Sequence, residues 1–259
     1  MGTLIVIPAR LGATRLPRKP LRLLGGEPLV VRVWERVSAM NIGDRVVIAT
    51  DSAEVAAAAT AAGAEVAMTR EDHPSGTDRV AEVANSAAFK GYDAFVNVQG
   101  DEPFIGDDAV RGALEQVTSR GFPLGTAACR AGSEILANPN VVKVVTDSHG
   151  RALYFSRAPI PFLRDAGDRA TRDSLVQQHL GIYAYTRDAL ARWVSLAPHP
   201  LELSERLEQL RALADGLAMG VAGAAPQHVG IDTEEDLIAA NARWSSVLNT
   251  PPQKVAGRH

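Results

Sequence analysis

The first half of the chain alternates short apolar runs with amphipathic stretches, and that rhythm leaves few architectures open. Thr3 to Ile7, Arg45 to Thr50, Ala64 to Met68 and Ala94 to Val98 read as strands. Between them, Pro28 to Met40 carries Val30, Val33, Trp34 and Val37 on one helical face. An Ala-rich stretch ends at Gly63 and can be capped by Asp51 or Ser52. A third helix begins near Thr77 and stacks Val80, Val83, Ala84 and Ala87; Asp107 to Ser119 forms a fourth. Strands separated by helices in this way pair in parallel through crossovers. The expected fold class is therefore α/β, a mostly parallel sheet covered on both faces.

The second half changes character. Val141 to Thr146 and Ala152 to Ser156 flank Asp147, Ser148, His149 and Gly150, which predicts a β-hairpin. Pro159 to Thr171 reads as a loop. In a strand from His179 to Tyr185, alternation puts His179, Tyr183 and Tyr185 on one face and Leu180, Ile182 and Ala184 on the other. Ser204 is expected to cap a helix carrying Leu207, Leu210 and Ala214, and Asp232 or Thr233 to cap the last helix. Residues 1–249 then form a single domain, and 250–259, with two prolines and basic residues, an expected disordered tail.

Composition narrows the function. The net charge is −3, so generic nucleic-acid binding is not expected. Cys129 is the single cysteine, which excludes an intramolecular disulfide. No apolar run approaches the roughly 20 residues that span a bilayer. Arginines interrupt the opening apolar stretch too early for a signal peptide, so the cytoplasm is the expected compartment.

Ligands of open parallel sheets bind beyond the carboxyl ends of the strands. After the first strand come Arg10, Arg15 and Lys19, with no acid before Glu27. That loop can neutralise a polyphosphate, or it is a solvated basic turn. It is not a P-loop, because the Gly-x-x-x-x-Gly-Lys-Ser/Thr pattern is missing. Thr50 and Asp51 follow the second strand; Gln99, Gly100, Asp101 and Glu102 follow the fourth. Asp101 can hold Mg²⁺, which takes one or two carboxylates plus phosphate oxygens, or it caps a turn. Asp232 can reach the same rim, although alone it reads first as a helix cap. The run from His73 to Thr77 is a turn feeding a helix N-terminus, able to cradle a base or a phosphate, or an ordinary loop and cap. His179 and Tyr183 face a polyol or are satisfied core residues. Glu208 and Gln209 line a site or a solvated helix face.

Together these segments resemble one family. Ile7-Pro8-Ala9-Arg10, Thr14-Arg15-Leu16-Pro17 and Lys19-Pro20-Leu21 are similar to the opening of the cytidylyltransferases that activate 3-deoxy-sugar acids. Ala49-Thr50-Asp51, Met68-Thr69-Arg70, Ser75-Gly76-Thr77 and Asn97-Val98-Gln99-Gly100-Asp101-Glu102-Pro103 follow in the family's order. So do Asn138-Pro139-Asn140, Val142-Lys143-Val144-Val145, Leu153-Tyr154-Phe155-Ser156-Arg157, His179-Leu180-Gly181-Ile182-Tyr183, Leu207-Glu208-Gln209-Leu210-Arg211 and Ile231-Asp232-Thr233. The pattern most resembles the 3-deoxy-manno-octulosonate (Kdo) cytidylyltransferase family. It departs from the common form at Arg18, at Gln227-His228-Val229 and in the extra tail.

The resemblance implies a three-layer α/β/α nucleotide-diphospho-sugar-transferase fold with a mostly parallel mixed sheet. It implies a homodimer that pairs in the region of the hairpin around Asp147 to Gly150. By position, Ala9, Arg10, Lys19, Ser75, Gly76 and Arg79 contact CTP, and Asp101 and Asp232 hold Mg²⁺. Gln99, Arg157, His179, Tyr183, Glu208 and Gln209 contact the sugar acid, with Arg157 reading its carboxylate. Arg10, Arg15, Lys19 and Asp101 form the catalytic set. The implied reaction is in-line attack of the anomeric hydroxyl on the α-phosphorus of CTP, giving CMP-Kdo and pyrophosphate. The same chemistry on an amino-deoxy octulosonate or a sialic acid, and a non-catalytic nucleotide sensor, are the alternatives.

Overall fold

Thr3–Ala9 forms β1 because its side chains are buried on both faces, as the inner strand of a covered parallel sheet requires. The computed structural model describes residues 1–12, 15–162, 164, 165, 167, 169–226 and 230–248. Thr14 of the basic loop, Gln227-His228-Val229 and the expected tail lie outside the described residues.

The order after β1 is β2 (Leu23–Leu24), β3 (Glu27–Pro28), α1 (Leu29–Ala39), β4 (Arg45–Thr50), α2 (Ala53–Ala61), β5 (Glu65–Met68), α3 (Gly76–Asn85), β6 (Ala94–Asn97) and α4 (Asp107–Thr118). Then come β7 (Leu124–Arg130), β8 (Lys143–Thr146), β9 (Ala152–Ser156), α5 (Arg169–Leu175), β10 (Gln177–Thr186), α6 (Arg187–Ser195), α7 (Pro200–Glu205), α8 (Gln209–Ala214), β11 (Met219–Ala224) and α9 (Glu234–Leu248). The main sheet runs β11-β7-β10-β6-β1-β4-β5. Strands β1, β4, β5 and β6 are parallel, whereas β10 runs antiparallel to both β6 and β7. The sheet is mixed and mostly parallel, as expected.

The sheet separates two apolar layers. On one face Ile5, Ile7, Ile48 and Val96 pack against α1, α2 and α4. On the other, Leu4, Val6, Val47 and Phe95 pack against α3, α6 and α8. A third cluster at the rim joins Leu16, Leu24, Leu29, Ile231, Leu237 and Ala240. Burying one Leu or Ile side chain contributes about 1.5–3 kcal/mol. This small cluster therefore fastens the loop after β1 to the start of α9.

Several local expectations are corrected. Ala87 is exposed, because α3 ends at Asn85 and Phe89 of the next turn takes the buried place. The loop from Pro159 gives way to α5 at Arg169. Ser204 lies within α7 rather than capping a helix; His199 caps α7, and α8 begins separately after Glu208. Ser52 is the cap of α2, accepting from the Val55 N–H at 3.3 Å. Thr233 caps α9, accepting from the Asp236 N–H at 3.2 Å, which leaves the Asp232 carboxylate for other partners. The hairpin forms as expected from β8 and β9, closed by Asp147 and Arg151. Strands β2, β3, β7 and β11 and helix α6 were not foreseen.

Candidate active site

The apolar flanks of two distant segments build the site. Leu16 and Ile231 are both 1% exposed and share the rim cluster, so Arg15 and Asp232 meet across it. The Ile231 N–H donates to the Asp101 carbonyl at 3.0 Å, which sets Asp232 beside Asp101. Gly100 lets the turn after β6 close on β1, because a Cβ there would lie 2.8 Å from the Pro8 carbonyl. The result is a cleft of about 380 Å³ at the carboxyl ends of β1 and β6. Ala9, Arg10, Arg15, Lys19, Ser75, Gly76, Arg79, Gln99, Asp101 and Asp232 all line it.

Its charges are matched. Lys19 Nζ donates to Asp232 Oδ1 at 2.9 Å and also to Asp101 Oδ2. Arg15 donates to Asp232 Oδ2 at 2.9 Å. Burial alone would lower the Lys19 pKa, but the two carboxylates hold it above its usual value. Arg10 is exposed and makes no hydrogen bond or ion pair among the described residues. Arg18 turns away from the cleft and forks onto Glu54 of α2 at 3.2 and 2.5 Å. Glu102 received no role from the sequence, yet it stands beside these acids. Burial, then the charges of Asp101 and Asp232, push its carboxyl up to about 8.

The N-terminus of α3 supplies a second wall. Ser75 caps it, accepting from the Asp78 N–H at 3.3 Å. The Ser75 hydroxyl also lies 2.7 Å from Asp78 Oδ2 and 3.0 Å from Glu208 Oε1. Arg79 is 2% exposed and donates to Asp51 at 2.8 Å, to Thr69 Oγ1 and to the Arg70 carbonyl at 3.3 Å. Asp51 thus stands behind Arg79 rather than in the cleft.

The residues assigned to the sugar divide. Gln99 lines the cleft, and Glu208 joins it through Ser75 and through Thr77 at 3.2 Å. Gln209 is 2% exposed, so the solvated-face reading of that helix is wrong for it. Burial raises the Glu208 carboxyl, and the Ser75 bond opposes this. His179 and Tyr183 share one strand face, with ring centroids 5.4 Å apart, but they pack inward beside Phe155 rather than lining the cleft. Burial pushes His179 down to about 3, and its Nε2 meets Thr126 Oγ1 at 2.9 Å. Arg157 reaches carbonyls, with Nε 2.7 Å from Glu205 O and Nη1 2.8 Å from Pro139 O. Lys143, fully buried, bonds the carbonyls of Asn138, Val141 and Arg157 at 3.1, 2.8 and 2.5 Å and fixes that corner.

The sheet order and the charged rim define an α/β nucleotidyltransferase fold. Residues 4–219 match the cytidylyltransferase family, and the chain belongs to it. It is 60% identical over 244 residues to a 3-deoxy-manno-octulosonate cytidylyltransferase of Gemmatimonas aurantiaca, covering 94% of this chain and 95% of that protein. It is 49% identical over 247 residues to the enzyme so named from Herminiimonas arsenicoxydans, covering 92% and 97%. A solved CMP:2-keto-3-deoxy-manno-octonic acid synthetase complexed with CTP superposes with a TM-score of 0.88 at 37% identity, over 95% of this chain and all of that one. A 4-diphosphocytidyl-2C-methyl-D-erythritol synthase from Anaerococcus prevotii, 13% identical over 94% of this chain and 98% of that one, shares the fold alone, with a TM-score of 0.61.

Proposed function

We propose that this chain transfers the cytidylyl group of CTP to 3-deoxy-manno-octulosonate, giving CMP-Kdo and pyrophosphate. The observation that carries the proposal is the meeting of Lys19, Asp101 and Asp232 in one cleft. The names of the relatives supply the substrates.

The anomeric oxygen forms a bond to the α-phosphorus. The bond from that phosphorus to its bridging oxygen breaks, and pyrophosphate leaves with the electron pair. The hydroxyl proton passes to solvent. Phosphoryl transfer of this kind needs positioning and charge neutralisation more than covalent help. Arg10 is placed to take phosphate oxygens. Arg15 and Lys19 exchange their carboxylates for phosphate when CTP enters. Ala9, Ser75, Gly76 and Arg79 hold the nucleoside side. Gln99, Glu208 and Gln209 orient the acid, with His179 and Tyr183 behind them. Arg157 reads the sugar carboxylate by exchanging its carbonyl partners.

Among the described residues no cluster of three or more acidic, His or Cys side chains is arranged to hold a metal. Two carboxylates converging on one cation nevertheless suit Mg²⁺, which draws its other ligands from phosphate and water. Asp101 and Asp232 would hold it, and it would neutralise charge on the α-phosphate.

Among the described residues no helix is long and apolar enough to cross a membrane. We place the enzyme in the cytoplasm as one domain over residues 1–249. It works as a homodimer paired near the β8–β9 hairpin, a reading supported by Leu153, Phe162 and Leu175, which are 55%, 82% and 52% exposed. The test is pyrophosphate release from CTP or UTP with Mg²⁺ and a panel of 3-deoxy acids. Release with CTP and Kdo is expected. Binding of CTP without turnover on any acid would leave only a nucleotide-binding homologue and sink the proposal.

A further inference from the structure

Thr126 is fully buried in the middle of β7, and the proposed chemistry does not use it. It pairs opposite Tyr183 of β10, on the strand face that also carries His179. Between His179 and Tyr183 the register of β10 against β7 shifts. Gly181 inside that bulge has a φ of 60°, which residues with a Cβ rarely adopt. There Thr126 Oγ1 donates to the Ile182 carbonyl at 2.6 Å, and His179 Nε2 lies 2.9 Å from the same hydroxyl oxygen.

The proton count then fixes the imidazole. A threonine hydroxyl carries a single proton, and a carbonyl only accepts, so that proton lies on the bond to Ile182. Thr126 Oγ1 can therefore only accept from His179, and Nε2 must carry a hydrogen. Burial pushes the ring down to about 3, so near neutrality it is uncharged and keeps its lone pair on Nδ1. That nitrogen has no hydrogen-bond partner among the described residues. Strand β10 runs antiparallel to β6 with Tyr183 opposite Asn97, the last residue of β6. The part of β10 before Tyr183 thus overhangs the carboxyl end of β6, where Gln99 lines the cleft. His179 stands on that overhang and keeps 8% of its surface.

We propose that Thr126 is a positioning residue that locks His179 in its Nε2–H tautomer, leaving Nδ1 to accept a hydrogen bond from a hydroxyl of the sugar acid. This rests on the reading of a sugar acid as the second substrate. An unheld imidazole exchanges between two tautomers, and only one of them offers an acceptor at Nδ1. The bulge at Gly181 is part of the device, because it turns the Ile182 carbonyl onto the threonine and so uses up the hydroxyl proton.

The experiment reads the tautomer directly, by NMR of the full chain labelled with ¹⁵N-histidine, the His179 signals being assigned by their loss in His179→Gln. The wild type should show hydrogen on Nε2, and saturating Kdo should shift its Nδ1 resonance. Thr126→Val keeps the shape and removes the hydroxyl; Thr126→Ser keeps the hydroxyl. The Nε2–H form should persist in Thr126→Ser and give way to a mixture of tautomers in Thr126→Val. In steady-state kinetics KM for Kdo should rise about tenfold in Thr126→Val, the equivalent of one hydrogen bond, and return towards wild type in Thr126→Ser. KM for CTP should stay unchanged in both. A wild-type ring protonated on Nδ1 overturns the inference without any variant. So does a KM for Kdo that Thr126→Val leaves alone, or one that rises in step with KM for CTP, as a merely structural role predicts. A wild type that releases no pyrophosphate from CTP with any 3-deoxy acid overturns the proposed function, whereas normal turnover with an unmoved Nδ1 resonance overturns this inference alone.

Discussion

Lys19 Nζ lies 2.9 Å from Asp232 Oδ1, closing a bridge whose other end is Asp101. The free protein thus satisfies its two rim carboxylates with a cation from the loop after β1. The same carboxylates are the proposed metal ligands, so on that proposal Lys19 and a divalent ion would compete for them until a triphosphate drew the lysine away.

This competition is measurable without turnover. Lys19→Met removes the charge and keeps most of the stem. It should raise the affinity of the free protein for Mn²⁺ roughly tenfold, the equivalent of losing one charge-assisted hydrogen bond. Affinity for CTP should fall in the same variant. Titration followed by electron paramagnetic resonance reads the first effect, and unchanged or weaker Mn²⁺ binding would show that Lys19 does not guard the site.

Asp101→Asn tests the carboxylate itself. Its side chain is one-quarter exposed, so the fold should survive with a melting temperature within a few degrees of wild type. Pyrophosphate release should drop by about a hundredfold or more, the scale on which charge stabilisation is lost at such sites. Near-normal turnover with Mg²⁺ would remove Asp101 from the mechanism.

Strands β1, β4, β5 and β6 were legible because they are continuous apolar runs between helices, and the rim residues after β1 and β6 followed from where those strands end. The sequence was silent about β7 and β11 for a physical reason. These strands carry glycines and alanines where α4 presses on the sheet. A Cβ on Gly125 would lie 2.1 Å from the Ala113 carbonyl, and one on Gly112 would lie 2.7 Å from Ala222. Close packing removed the β-branched signature that marks a strand. Alternation correctly grouped His179 with Tyr183, but not their burial, because no pattern in β10 shows that α6 and α8 cover that face. Asp232 read as a cap because the cap reading needs only neighbours in sequence. Its bond to Lys19 spans 213 residues and depends on Leu16 meeting Ile231.

Gly100→Ala probes the close approach that shapes the cleft. The added Cβ would meet the Pro8 carbonyl at 2.8 Å, and that backbone is pinned within the sheet by its pairing with β4. Overpacking against backbone should cost about 1–3 kcal/mol in urea unfolding. A variant as stable as wild type would mean that the turn after β6 yields more easily than its contacts suggest.

The buried imidazole of His179 fixes the direction of one pH effect. Burial depresses its pKa to about 3 from an ordinary value of 6.5. Between these values the unfolded chain binds a proton that the folded chain does not, so stability rises with pH across that window. The contribution is complete above pH 6.5 and is lost as pH falls towards 3. At pH 5 about 2 kcal/mol of it should be gone, one and a half pH units below the unfolded value. His179→Gln keeps a polar partner for Thr126 Oγ1 and carries no titrating group. Urea unfolding at pH 7.5 and pH 5 should show the wild type losing about 2 kcal/mol more than the variant over that interval. Equal losses in the two proteins would mean that the ring is protonated in the fold, and so not sealed from solvent as its packing against Phe155 and Tyr183 requires.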